Sequence, residues 1–135
     1  MAVLWHNQYV QSLSYYSVVV LCTVLFLSIF ELLTKYKNWS EIRKGNIAVA
    51  MATGGKIFGI ANIFRYSIET GEPLLTTIFQ GVFGFILLML GYFIFEFLTP
   101  SFNIDDEIEK DNRAVGLISM MISVGLSFVI GSSLY

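Results

Sequence analysis

Lys56, Glu31 and Glu96 are charged side chains set within or beside long apolar runs, and Asn46, Asn112 and Arg113 stand at the edges of the same runs. An amine among carboxylates in a low-dielectric layer is raw material for a proton or cation path, and equally for docking one helix against another. On insertion scales a lysine at the centre of a membrane span costs about 2.5 to 3.5 kcal/mol, so Lys56 needs a partner or a wet cavity. Glu31 is the expected partner. Side chains lean toward the N-terminus of their own helix, so Glu31 leans into the membrane while Lys56 leans back toward the loops. The competing expectation has Lys56 snorkelling to the interface and Glu31 sitting among headgroups. Asn46 and Asn112 are expected to hydrogen-bond across a helix pair at the loop end, as orienting groups worth only about 0.6 kcal/mol each.

These residues belong to a pattern written twice. Ile29-Phe30-Glu31-Leu32-Leu33-Thr34 returns as Ile94-Phe95-Glu96-Phe97-Leu98-Thr99, at an offset of 65 residues. Glu41-Ile42-Arg43-Lys44-Gly45-Asn46 returns as Glu107-Ile108-Glu109-Lys110-Asp111-Asn112, at an offset of 66. Two departures stand out. The position aligned with Lys56 is Ile122, which leaves Glu96 to share Lys56, to pair with Arg113 or to stay protonated. The connecting loops also differ in charge: residues 35–44 carry a net +3 and residues 100–113 a net −3. Loops of opposite sign on one face should attract, within a chain or between chains, and salt should weaken that attraction.

The elements that must position these groups are hydrophobic helices. Four stretches approach the roughly 20 apolar residues needed to cross a bilayer. They run from about 15 to 34, 46 to 64, 74 to 98 and 114 to 133. A soluble bundle would need polar stripes that Val18–Phe30 and Phe85–Phe95 do not offer. The expected fold is therefore all-α: one integral membrane domain over residues 1–135, made of two tandem parallel helical hairpins at about 15–67 and 74–134. Lys35, Lys37, Arg43, Lys44, Lys110 and Arg113 fall in the two long loops, whereas the opposite face has only Arg65. That bias places both long loops in the cytoplasm and both termini outside. Asn38-Trp39-Ser40 matches a glycosylation triplet but lies in a loop the bias puts inside. Ser40 and Asp106 are the expected N-caps of the second and fourth helices, with Glu109 completing a box at Asp106. Small residues mark the packing faces: Gly55 and Gly59 on the second span, and Ser119, Ser123, Ser127 and Gly131 at every fourth position on the last. A serine-lined pore is the functional alternative for that last stripe.

Composition narrows the function classes. The 135 residues are 56% hydrophobic and 13% charged, where soluble domains carry about 25% charged residues. A net charge of −2, with eight basic residues forming no stripe, gives no footing for nucleic acid. Cys22 is the single cysteine, so no internal disulfide is expected. No basic residue precedes the first apolar run and no cleavage site follows it, so that run is expected to persist as a helix. Thr53-Gly54-Gly55-Lys56 imitates the end of a phosphate loop, but Ala50 and Ile57 stand where Gly and Ser or Thr are required. With His6 the one histidine, neither a His-dependent triad nor a two-His metal site can be built in one chain. Residues 105–111 lack the alternating ligands and central glycine of an EF-hand. The expectation is a protein that is not an enzyme, with no cofactor, no metal and no catalytic residue.

Three segments carry a family resemblance. Residues 30–37 (FELLTKYK), 44–56 (KGNIAVAMATGGK) and 111–116 (DNRAVG) resemble the YshE/YjfL-like uncharacterised bacterial transmembrane proteins, known as domain of unknown function 350 and uncharacterised protein family 0719. The resemblance spans nearly the whole chain. It implies a bacterial cell membrane and a four-helix membrane domain, and brings no activity or substrate with it. From the residues, the leading expectation is a membrane module that contacts the lipid bilayer and assembles with itself or another membrane protein. The alternative is a small proton, cation or solute conductor lined by Glu31, Glu96 and Lys56.

Overall fold

The computed structural model describes residues 4, 6–99, 101 and 103–134. The extreme termini, expected outside, lie beyond the described residues at 1–3 and 135. The described chain is helical throughout: α1 (Gln8–Leu33), α2 (Asn38–Arg43), α3 (Ile47–Glu69), α4 (Leu74–Phe97), α5 (Ile104–Glu109) and α6 (Arg113–Leu134). The long helices α1, α3, α4 and α6 are each apolar and long enough to span a membrane. Helices α1 and α3 outrun the apolar windows that announced them. Asn7 caps α1 by accepting from the Tyr9 amide at 2.9 Å, and the Arg65–Glu69 pair at 2.9 Å carries α3 past its apolar stretch. Hydropathy marks what lies in lipid, whereas caps and local pairs decide where a helix stops.

The two long connections between spans are built alike. In the first, the Gly45 amide bonds the Ile42 carbonyl and the Asn46 amide bonds the Glu41 carbonyl. In the second, Asp111 bonds Ile108 and Asn112 bonds Glu107, at the aligned positions. This is the Schellman arrangement, which needs a left-handed residue just past the helix. Gly45 supplies it with φ 88° and Asp111 with φ 63°. Each short helix therefore ends before the long one starts, which corrects the expectation that Ser40 and Asp106 cap spans. Asn46 caps α3 through Val49 N at 3.0 Å, and Asn112 receives Val115 N at 3.3 Å at the start of α6. Asp106 is itself capped, its amide bonding Asn103 Oδ1 at 3.1 Å.

Helix α3 is the centre of the molecule. Its most extensive interface is with α6, across the two halves of the sequence, rather than with either chain neighbour. The contacts advance together along both helices, so they run in the same direction: Ala48 lies beside Gly116, Gly55 beside Met120, Gly59 beside Ser123 and Asn62 beside Ser127. A β-carbon on Gly116 would come within 2.7 Å of the Ala48 Cα, and one on Gly55 within 2.7 Å of the Met120 Cα. At that separation only glycine fits, and backbone meets backbone. Helices α1 and α4 also run the same way, joined by Phe26 stacked on Phe85 at 4.2 Å and by Phe30 edge-on to Tyr92 at 5.9 Å. Beneath the spans, Ile104 and Ile108 of α5 are fully buried and close the loop end of the core.

Candidate functional site

Lys56 lies on the buried face of α3 and is 0% exposed. Its ammonium stands 4.4 Å from the centre of the Phe30 ring, 5.1 Å from Tyr92 and 5.4 Å from Tyr36. Three π-faces around one cation, shielded from water, make the strong form of the cation–π interaction. Nζ also donates to the Tyr36 hydroxyl at 3.2 Å. Tyr92, whose ring also faces Lys56, donates in turn to Asp105 Oδ1. Lys56, Tyr36, Tyr92 and Asp105 therefore form one polar cluster leading from inside the spans to the loop layer.

Each member is placed by a different element. Tyr36 comes from the turn between α1 and α2, Tyr92 from the last turns of α4, and Asp105 from the first turn of α5. Asp105 is only 4% exposed and also accepts the Lys35 amide at 3.2 Å. Asp105 makes no ion pair with Lys56 among the described residues; Tyr92 stands between them. Burial first, and the Asp105 charge second, hold the Tyr36 phenol above its ordinary value, so it stays protonated.

Glu31 is not the partner of Lys56. The inward face of α1 carries Phe26, Leu27 and Phe30, and one further residue turns a helix by about 100°. That rotation leaves Glu31 half-buried, outside ion-pair distance of Lys56, with the Phe30 ring where its carboxylate was expected. Nor does Lys56 snorkel, since the rings enclose it. Glu96 is half-buried one turn beyond Tyr92 and makes no ion pair among the described residues. Arg113 is exposed and stands 3.7 Å from Asp111 instead of reaching Glu96. Asn46 does bond across the halves: its Nδ2 donates to the Glu109 carbonyl at 2.8 Å and the Ile108 carbonyl at 3.2 Å. Asn112 stays local, donating to Glu107 Oε2 at 3.1 Å. Asp111 Oδ1 completes the joint by accepting the Ala48 amide at 2.9 Å.

The small-residue stripe of α6 faces α3. Ser119, Ser123 and Ser127 are buried, Ser127 receives Asn62 Nδ2 at 3.0 Å, and Gly131 lies under the Tyr66 ring. The Ser119 hydroxyl, like that of Thr53 at the aligned position, is buried without a hydrogen-bond partner among the described residues. Sequence reasoning missed Tyr36, Tyr92 and Asp105. A signal was present, because each sits where the two halves differ: Tyr92 aligns with Leu27 and Asp105 with Trp39. A tyrosine and an aspartate gained at such positions are visible, but their convergence on Lys56 depends on how the helices cross.

Comparison with known proteins agrees with the four apolar helices. The chain is 64% identical over 130 residues to UPF0719 transmembrane protein YshE of Bacillus subtilis (strain 168), covering 96% of this chain and 97% of that one. No solved structure matches it. This is a multi-pass membrane protein in contact with the lipid bilayer. The model of the Domain of Unknown Function (DUF350) matches residues 4–134, and the chain belongs to that family.

Proposed function

We propose that this protein is a non-enzymatic module of the bacterial cell membrane that assembles with itself or with another membrane protein. In this reading its two halves are tandem hairpins, with both long loops in the cytoplasm and both termini outside. The matched turns at Gly45 and Asp111 support the hairpin reading, and the basic bias of the loops supports the sidedness. The observation that carries the proposal is the enclosure of Lys56. A lysine at 0% exposure, boxed by three rings of which Tyr92 also donates to Asp105, acts as an internal brace that sets helix register. The outer faces of α1 and α4 meanwhile leave Leu21, Leu25, Phe83 and Leu90 open to lipid or to another helix. Crosslinking in native membranes should capture a defined oligomer or a defined partner. A strictly monomeric protein would sink the proposal.

The rival reading is a small proton, cation or solute conductor, and the polar cluster from Lys56 to Asp105 is the observation that favours it. Reconstitution in vesicles separates the two. Proton flux that disappears in both Lys56→Leu and Asp105→Asn would favour conduction, whereas flux unchanged by either substitution would remove these residues from any path.

A further inference from the structure

The two loops carry opposite net charge, yet the fold spends their charges unequally. Most of the acids are engaged within the chain, Glu109 being exposed without an ion pair among the described residues. Asp105 is buried beneath Tyr92 and the Lys35 amide. Asp111 holds the Ala48 amide and Arg113, and Glu107 receives Asn112. Glu41, whose side chain is 18% exposed, is taken up by Lys44 and Asn46. Lys37 and Arg43, by contrast, are exposed and make no ion pair among the described residues. Between them stands Trp39, 58% exposed, one helical turn before Arg43 and so on the same face of α2.

Helix α2 joins the loop end of α1 to the start of α3, which sets this face at headgroup depth. An indole prefers that layer, since its ring is apolar and its N–H is a donor. Guanidinium and ammonium groups freed of protein acids suit phosphate oxygens at the same level. We propose that Lys37, Trp39 and Arg43 form a docking surface for anionic phospholipid, with the two cations on the headgroup phosphate and the indole at the glycerol level. Only one half of the chain offers it, because the position aligned with Trp39 is the inward-turned Asp105. The acidic α5 of a second copy is the competing occupant, but its carboxylates are largely engaged within their own chain.

The test uses the full chain with Trp5→Phe, which leaves Trp39 as the one tryptophan. Placed in phosphatidylcholine nanodiscs, it is exposed to a small mole fraction of brominated phosphatidylglycerol or the same fraction of brominated phosphatidylcholine. Brominated phosphatidylglycerol should quench Trp39 preferentially, roughly fivefold for each free cation at low salt, with the preference shrinking as salt rises. Adding Lys37→Gln and Arg43→Gln, which break no internal bond, should equalise the two lipids. Equal quenching by both lipids in the starting protein overturns the proposal, as does a preference that survives the double substitution. Quenching by neither also overturns it, since a second copy would then cover Trp39.

Discussion

At the scale of single residues, the charge inside this membrane protein is handled by relay rather than by contact. A bare lysine–carboxylate pair must recover two desolvation costs from one interaction. Here the ammonium is stabilised by three rings and a phenol, and the carboxylate by a phenol and a backbone amide. Removing one end should therefore cost more than removing both. Asp105→Ala strands the Lys56 charge and should lower stability by about 3–5 kcal/mol, read by thermal unfolding in detergent. Lys56→Met in the Asp105→Ala background should restore a measurable part of that loss, with a coupling of roughly 1–3 kcal/mol. Glu31→Gln should change stability by less than about 0.5 kcal/mol, because Glu31 makes no ion pair among the described residues. A large effect at Glu31, or strict additivity of the Asp105 and Lys56 changes, would contradict the relay.

At the scale of elements, the interface between α3 and α6 is set by where side chains are missing. Gly54 and Gly55 are neighbours in sequence and differ completely in surroundings. A β-carbon at Gly54 meets nothing within 4 Å, whereas at Gly55 it would press on the Met120 backbone at 2.7 Å. Gly54→Ala should leave stability unchanged or raise it by up to about 1 kcal/mol, as alanine favours the helix. Gly55→Val should cost about 1–3 kcal/mol or more, since the helices must separate to admit it. Equal melting temperatures for the two variants would argue against the close approach. The short helices answer to a different rule. They end where a left-handed residue can be placed, and the chain uses Gly45 in one case and Asp111 in the other. Asp111 gives the same turn and adds a carboxylate that caps the opposite half at Ala48.

At the scale of the molecule, the two long connections meet at one end, where Lys35 before α2 pairs with Asp106 at 3.7 Å and Asn46 at the start of α3 bonds the carbonyls of α5. Both long loops thus share a face, and the proposed sidedness makes that face cytoplasmic. With Cys22 changed to Ala, a cysteine at exposed Ser40 should react with an impermeant maleimide only after the cells are opened, whereas one at Gly71 should react in intact cells. The reverse pattern would invert the orientation. Much of this was legible in the chain. Hydropathy alone determined four helices in a membrane, because apolar surface has no other stable home, and the glycine and serine spacing marked the faces that pack. The aligned motifs put Asn46 and Asn112 at the edges of apolar runs but set the caps too early, at Ser40 and Asp106, because the left-handed turns at Gly45 and Asp111 end a separate short helix first. The fate of Lys56 was beyond the sequence. Whether Phe30 or Glu31 faces it is a matter of about 100° of helix rotation, and whether Tyr36, Tyr92 and Asp105 reach it depends on how helices from both halves cross. Periodicity fixes which face of a helix is apolar, and only tertiary packing decides what that face meets.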